Sequence, residues 1–347
     1  MSTDQGRSPP PQMISPGPQT GSLEILDRSL PPLSPWAVVA RFGGWLERHG
    51  RALVIGTPYL WFAIFFLTPF LITLKLSFSE AMLAQPPFAP LVEWVREYGT
   101  TALNIRLNLG NYGLLFSDTL YIKAYASSLT IAGIATLLTL AVGLPMAYGL
   151  AKAPERWRLI LIMMVILPFW TSFLIRVYAW IGILKDEGLL NAALISMGLI
   201  DQPLTILNTN TAVYIGIVYS YLPFMVLPIY ASFDKMDPSL VEAAIDLGCR
   251  PIKAFWMVTA PIALPGIVAG CMLVFIPAVG EFVIPDLLGG SETLMIGRTL
   301  WLEFFNNRDW PLASAVAVLL LVGLVVPIVL FQRHQQRLSK DIGGKPA

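Results

Sequence analysis

Cysteine, histidine and charged residues are all scarce in this sequence. Its 347 residues include two cysteines and two histidines, and only 13% of the residues are charged. Cys249 falls in a polar loop and Cys271 in an apolar run, which argues against a structural disulfide, and the histidines lack metal-ligand spacing. The composition therefore excludes a disulfide-stabilised secreted domain and indicates neither redox nor metal chemistry.

A phosphate-binding loop is also missing. The nearest match to Gly-x-x-x-x-Gly-Lys-Ser/Thr is Gly343-Gly344-Lys345-Pro346, which lacks the first glycine and the hydroxyl residue. We find no nucleophile paired with a base, no basic and aromatic surface for nucleic acid, and no repeat of the kind that builds many secondary carriers. The chain is therefore predicted not to be an enzyme, to bind no cofactor or nucleic acid, and not to hydrolyse ATP alone.

Long apolar runs dominate what is present. Hydrophobic residues make up 55% of the sequence, and a membrane span needs about 20 of them in succession. Six windows reach that length, so we predict an all-α, polytopic membrane protein with a membrane domain over 41–335. The windows are about 53–74, 124–151, 159–184, 211–232, 261–288 and 311–331.

The two ends of the chain are predicted to be cytoplasmic tails. Residues 1–40 contain eight prolines and no apolar core of a signal peptide, which predicts a disordered segment, and 336–347 form the second tail. Lysine and arginine cluster before the first window, after the second, in the loop 233–260 and after the last. By the positive-inside rule, both termini and this loop lie in the cytoplasm.

The loop 233–260 has the pattern of a helix, a bend and a second helix. Asp237 can cap a helix, Gly248 can end it in the left-handed conformation, and Pro251 can begin the next one. Leu240, Ala244 and Leu247 share one helical face. An ordinary solvated loop is the alternative interpretation.

This segment resembles the "EAA" loop of ABC importer permeases, in which Glu-Ala-Ala is followed by a glycine and a later Ile-x-Leu-Pro. Val258 and Ala260 replace the isoleucine and leucine of that pattern. The resemblance implies that the loop docks a separate ATPase. The implied docking residues are Glu242, Ala243, Ala244, Gly248, Arg250 and Pro251.

Three further stretches resemble the permeases of spermidine and putrescine importers. The resemblance is greatest to the permeases of putrescine importers. The family implies a MetI-like helical fold in a bacterial inner membrane, a second related permease, a pair of ATPase subunits that bind ATP, and an external polyamine-binding protein. The stretches begin at Asn108, Leu167 and Phe275.

Three charged residues fall inside the predicted spans. Glu281 and Asp286 lie five residues apart in one window and are candidate contacts for a cationic substrate, because carboxylates inside spans usually face a water-filled path. Arg176 is a candidate partner of Glu281 in a structural ion pair. The candidate aromatic contacts are Trp170, Tyr178, Trp180, Tyr221 and Phe224, for which an alternative role is anchoring at the membrane interface.

The sequence thus predicts the permease subunit of an ATP-driven polyamine importer, most specifically for putrescine. The alternative is a carrier or channel for small cations that works without a nucleotide-binding partner.

Overall fold

The computed structural model describes residues 50–97 and 100–343, so the predicted tail 1–40 lies outside the described residues. It confirms a helical membrane fold, to which it adds one two-stranded hairpin. Four helices are long and apolar enough to span a membrane, and two bent helix pairs raise the number to six if each pair is one span. The elements are α1 Gly50–Ser77, β1 Val92–Glu97, β2 Thr100–Ile105, α2 Gly110–Ser117, α3 Thr119–Lys152, α4 Glu155–Trp170, α5 Phe173–Leu184, α6 Leu189–Ser196, α7 Asn210–Asp234, α8 Ser239–Asp246, α9 Pro251–Ile262, α10 Leu264–Val279, α11 Val283–Leu287, α12 Ile296–Trp301 and α13 Trp310–Gly343.

The chain divides at Leu67 into two compact units, and every residue discussed below belongs to the second. Its centre is formed by α3, α7 and α10, which pack closely at alanine, glycine and valine residues. A Cβ atom added at Gly266 would lie 2.5 Å from the carbonyl oxygen of Pro228. The helices α10 and α7 therefore approach each other so closely that only glycine fits at position 266. Small residues at helix interfaces are typical of membrane bundles.

The window 159–184 is not one continuous helix. The stretches Glu155–Trp170 and Phe173–Ser196 meet at 91°. Thr171 and Ser172 between them have extended backbone, with ψ of 156° and 134°. Pro168 contributes to the break because it cannot donate a helical hydrogen bond.

The window 261–288 is also interrupted, and this corrects our expectation that its two carboxylates lie on one helix. The helix α10 ends at Val279, and a new short helix begins at Val283. Glu281 lies in the junction and Asp286 lies in α11. The physical reason is that the Glu281 side chain binds the backbone amides that begin α11, as described below.

The segment between α1 and α2 contains a two-stranded antiparallel hairpin that the sequence analysis did not anticipate. Val92 pairs with Ile105, and Glu97 pairs with Thr100.

The segment between α5 and α7 is held in place by buried Asn191. Its side-chain amide donates to the carbonyl of Leu204 at 3.0 Å and accepts from the backbone N–H of Leu204 at 2.9 Å.

Candidate functional site

The loop between α7 and α9 folds as a helix, a bend and a second helix, as the sequence predicts. The Asp237 carboxylate accepts a 2.9 Å hydrogen bond from the backbone N–H of Ser239, the first residue of α8. This bond lowers the pKa of Asp237 below its usual range. The first turn of α8 is thus capped by a carboxylate, which the helix dipole favours.

Gly248 ends α8 in the left-handed conformation, with φ of +85°. Its N–H donates to the carbonyl of Ile245 at 2.8 Å, and the N–H of Cys249 donates to the carbonyl of Ala244 at 3.0 Å. These two bonds are those of a Schellman motif. A Cβ atom at this position would meet no atom of the chain within 4 Å, so the backbone angle, and not crowding, requires glycine here.

The α8 helix leaves apolar side chains uncovered. Leu247 is 89% exposed and Leu240 is also exposed. Glu242, Ala243 and Arg250 are exposed beside them. A short amphipathic helix whose apolar residues no described part of its own chain covers has the character of a docking surface.

The base of this loop is fixed by one ion pair and one aromatic cluster. Arg158, near the start of α4, contacts Asp234, the last residue of α7, at 3.0 Å. The ring of Tyr148 on α3 packs edge-on against Phe233 at 5.7 Å and against Phe255 at 5.1 Å. Both ends of the loop are therefore held on the helical bundle.

Glu281 lies in the break of the fifth window and is only 8% exposed. Its Oε1 accepts hydrogen bonds from the backbone N–H groups of Phe282 at 3.1 Å and Val283 at 3.0 Å. Its Oε2 accepts a 2.5 Å bond from the hydroxyl of Tyr221 on α7. The side chain thus caps α11 and ties it to α7, without a cationic partner among the described residues.

The candidate ion pair between Arg176 and Glu281 is not formed. Arg176 Nη1 instead donates to the carbonyl oxygen of Pro168 at 2.7 Å, and its guanidinium lies 5.6 Å from the ring of Phe169 and 5.8 Å from that of Phe173. The carbonyl of Pro168 also accepts from the backbone N–H of Thr171 at 3.3 Å and from its hydroxyl at 2.8 Å, so Arg176 adds a third donor at the break in the third window.

Asp286 contacts Arg298, a residue that the sequence analysis did not connect with it. The Nε of Arg298 lies 3.1 Å from Asp286 Oδ1, and its Nη1 donates to the carbonyl of Gly290 at 3.1 Å. Twelve residues separate the two side chains, so no helical spacing could have indicated this pair. The Asp286 charge is already compensated.

The structure brings together some of the candidate aromatic residues and separates others. Phe224 packs edge-on against Phe169 at 5.3 Å and lies 6.2 Å from Tyr221, beside Glu281. Trp180 packs against Tyr219 at 5.4 Å. Trp170 is 83% exposed and Tyr178 is also exposed. Of these residues, Tyr221 contacts Glu281 directly, and Phe224 lies next to Tyr221.

The sequence matches a family of membrane transport proteins and is similar to individual relatives within it. Residues 34–340 match the family described as binding-protein-dependent transport system inner membrane component. The spermidine/putrescine transport system permease protein PotB of Haemophilus influenzae is 37% identical over 292 residues, covering 84% of this chain and 96% of that protein. PotB of Escherichia coli K12 is 42% identical over 234 residues, covering 67% and 85%.

Solved structures share the fold. A bacterial ABC transporter for the import of alginate has a TM-score of 0.62 at 20% identity, covering 86% of this chain and 98% of that one. The same transporter type in complex with an alginate pentasaccharide-bound periplasmic protein also has a TM-score of 0.62, at 19% identity, covering 88% and 100%. The family match and the identity to its relatives show that this chain belongs to the binding-protein-dependent transport system inner membrane components, the permeases of ABC importers.

Proposed function

We propose that this chain is the permease subunit of an ATP-driven importer of polyamines, and that it couples to a separate ATPase through the loop 233–260. The observation that carries the proposal is α8, which is capped at both ends, anchored to the bundle and left with its apolar residues uncovered. The chain forms part of the translocation path and carries out no bond chemistry itself.

The docking of an ATPase on α8 is supported by the geometry of the loop. Leu240 and Leu247 offer apolar contacts, while Glu242 and Arg250 offer charges at the rim of the same surface. The absence of a phosphate-binding loop from the sequence means that the energy must come from another chain, so we propose that an ATPase dimer binds ATP.

A cationic substrate is supported by Glu281. Its carboxyl group accepts bonds from backbone amides and from Tyr221, all of them uncharged donors, so no described cationic residue pairs with it, and the ring of Phe224 lies 6.2 Å from that of Tyr221. Ammonium groups bind carboxylates and aromatic faces. We therefore assign the substrate contact to Glu281, Tyr221 and Phe224. Asp286, which Arg298 neutralises, is not part of this assignment.

The named relatives and solved structures support the remaining parts of the proposal, which are the substrate, the binding protein and the second permease. Those named spermidine/putrescine permeases support a polyamine as the substrate, and the alginate importer complex supports an external binding protein. A second, related permease would complete the path. In the orientation that we propose, both termini and α8 face the cytoplasm of a bacterium and the hairpin faces outward.

The test is uptake of radiolabelled putrescine by the reconstituted complex, with spermidine and a neutral sugar as competitors. We expect uptake to require ATP, to be inhibited by the competing polyamine and to be unaffected by the sugar. Mutation of the phosphate-loop lysine in the partner ATPase should abolish uptake. Uptake that persists in that mutant would contradict the proposal and support a carrier that needs no nucleotide, and the relative inhibition distinguishes putrescine from spermidine specificity.

A further inference from the structure

An open cleft of about 530 Å³ lies beside the break between α4 and α5. The residues that line it come from α3, α4, α5 and α7, and they are apolar except for Tyr219 and Arg176. Met164, in the wall of the cleft, is 64% exposed. The described chain thus leaves an apolar surface uncovered around a single guanidinium.

The charge of Arg176 is not neutralised by any described residue. Its side chain is more than nine-tenths buried, yet no carboxylate of the described chain lies within 4.0 Å of it. Nη1 donates to the carbonyl of Pro168, the rings of Phe169 and Phe173 lie beside the guanidinium, and buried Nε has no hydrogen-bond partner. Because a charge inside a membrane span is costly unless it is paired, this residue indicates a carboxylate on another molecule.

The backbone at the break is uncovered as well. Thr171 and Ser172 have extended backbone at the middle of the predicted window 159–184, and both residues are exposed. The Ser172 side chain does not cap α5, so the first N–H groups of this helix, at its positive end, lack that acceptor. Irregular backbone inside a membrane occurs where protein or water covers it and not against lipid tails. The break therefore needs a cover that the described residues do not supply.

Another membrane protein meets both requirements at once. Lipid tails cannot bond the backbone, and water cannot neutralise the guanidinium, whereas a carboxylate on a neighbouring protein span can do both. The surface next to the break also has the composition of a protein interface. Trp170 and Tyr178, which flank Arg176 in the sequence, are 83% and 59% exposed, and these three residue types are the ones most enriched at binding hot spots.

A second copy of this chain cannot supply the carboxylate. The only acidic residues in the six predicted spans are Glu281 and Asp286. Glu281 is buried and bonded to Tyr221 and to backbone N–H groups, while Asp286 pairs with Arg298. Both carboxylates are thus already engaged, so the partner is a different chain.

We propose that Arg176 anchors this chain to the second permease of the importer by pairing with a carboxylate in a span of that subunit. The same span covers Thr171 and Ser172 at the break between α4 and α5. This inference rests on the proposed function, because it takes the partner to be the second permease. It adds the residue that holds the two subunits together and the chemistry of the group that it binds.

A photoreactive amino acid in place of Met164 tests this contact in native membranes that contain the full importer complex. Met164 lines the cleft and is exposed, so the replacement leaves Arg176 and the break unaltered. Irradiation should join this chain to the second permease, which mass spectrometry of the crosslinked band identifies. Crosslinks to phospholipid alone or to a second copy of this chain would overturn the proposal, and so would the absence of a protein crosslink.

Substitutions of Arg176 test whether the contact depends on charge. Arg176→Gln removes the charge and keeps an N–H donor for the carbonyl of Pro168, whereas Arg176→Lys keeps the charge. Arg298→Gln is the control, because it removes an arginine that is already paired within the chain. Recovery of the second permease with this chain, and the crosslink from position 164, should fall at least about tenfold in Arg176→Gln only, because the partner's buried carboxylate is left unpaired. Equal losses in Arg176→Gln and Arg176→Lys, or no loss in either, would contradict the ion pair.

Charge reversal keeps the proposal testable if Arg176→Gln does not assemble. Arg176→Glu should abolish recovery of the second permease, and replacing one acidic residue in a span of that subunit by arginine should restore it. Failure of every such replacement would overturn the pairing. The readouts also separate the two hypotheses: a wild-type complex without a second permease contradicts the proposed function. A second permease that is present but is not crosslinked from position 164 contradicts this inference alone.

Discussion

Tyr221 and Glu281 are joined by a 2.5 Å hydrogen bond that links the middle of α7 to the break in the fifth window. The same carboxylate accepts backbone N–H bonds from the first turn of α11. One side chain therefore fixes the position of a short helix and holds it against a long one. Both contacts come from one carboxyl group, with Oε1 on the backbone amides and Oε2 on Tyr221.

This link predicts a measurable coupling between the two residues. Tyr221→Phe should lower the free energy of unfolding of the complex by about 1–3 kcal/mol, because the hydrogen bond goes to a charged group. Glu281→Gln should lower it by less, because the amide Nε2 can still donate to the hydroxyl oxygen of Tyr221 in a neutral bond that replaces the charge-assisted one. Denaturation of the purified complex in mixed micelles measures both values.

The double variant provides the control. If the bond exists, Tyr221→Phe with Glu281→Gln should cost less than the sum of the single changes by about 0.5 kcal/mol or more. Strict additivity would contradict the contact. Putrescine uptake by Glu281→Gln should also weaken while basal ATP hydrolysis persists, because the carboxyl group that we propose to contact the ammonium group is lost.

Arg176 and Glu281 should behave as independent residues. Because each has other partners, the double change Arg176→Gln with Glu281→Gln should destabilise the complex by the sum of the single effects, within about 0.5 kcal/mol. The same denaturation experiment measures this. Recovery of stability in the double variant would mean that the two charges pair after all.

Two substitutions at Gly248 separate its need for a positive φ from the proposed docking of an ATPase on the surface around it. Gly248→Asn should be tolerated, because asparagine adopts positive φ more readily than other residues. Gly248→Trp should strain the bend by about 1–2 kcal/mol and place a large side chain on the proposed docking surface. We expect Gly248→Trp to lose copurification with the ATPase and transport, while membrane insertion stays normal. Normal transport in Gly248→Trp would contradict the docking assignment.

The ion pair of Asp286 and Arg298 should contribute little to stability, because both side chains are partly exposed. Asp286→Asn should cost about 0.2–1 kcal/mol at low salt and less at high salt, as expected for a screened surface pair. The charge-reversed double variant Asp286→Arg with Arg298→Asp should recover most of that loss. A decrease of putrescine uptake by tenfold in Asp286→Asn would instead return Asp286 to the substrate path.

Reporter fusions test the proposed orientation. A reporter after Ala347 should give a cytoplasmic signal, and one inserted at Gly99 should give an external signal, because basic and acidic loops alternate along the chain. Paired phosphatase and fluorescent reporters serve as mutual controls. A cytoplasmic signal at Gly99 would overturn the arrangement.

Local signals in the sequence were sufficient to locate the apolar spans and the loop 233–260, although not the breaks within the third and fifth windows. The start at Asp237 and the end at Gly248 depend on neighbouring residues only, so cap and glycine preferences predict them. The apolar windows likewise depend on composition over about 20 residues. The hairpin Val92–Ile105 was missed because its strands lie between the first two predicted spans, in a segment that was interpreted as a loop.

The partners of the charged residues could not be predicted in the same way. The hydropathy window suggested that Glu281 and Asp286 share a helix, but a side chain that caps its own downstream backbone ends that helix at Val279. Arg176 was expected near Glu281 because the two lie at similar depths in their windows. It donates instead to the carbonyl of Pro168 at the helix break, and no sequence pattern indicates that break.

The bend between α9 and α10 converts a small rotation into a larger displacement at the far end of α10. The two helices have 12 and 16 residues and meet at 71°, so at 1.5 Å per residue the arms are about 18 Å and 24 Å long. A rotation of about 5° at the bend would therefore move the far end of α10, next to Glu281, by about 2 Å. That displacement exceeds the tolerance of a hydrogen bond, so such a rotation would separate Tyr221 from Glu281.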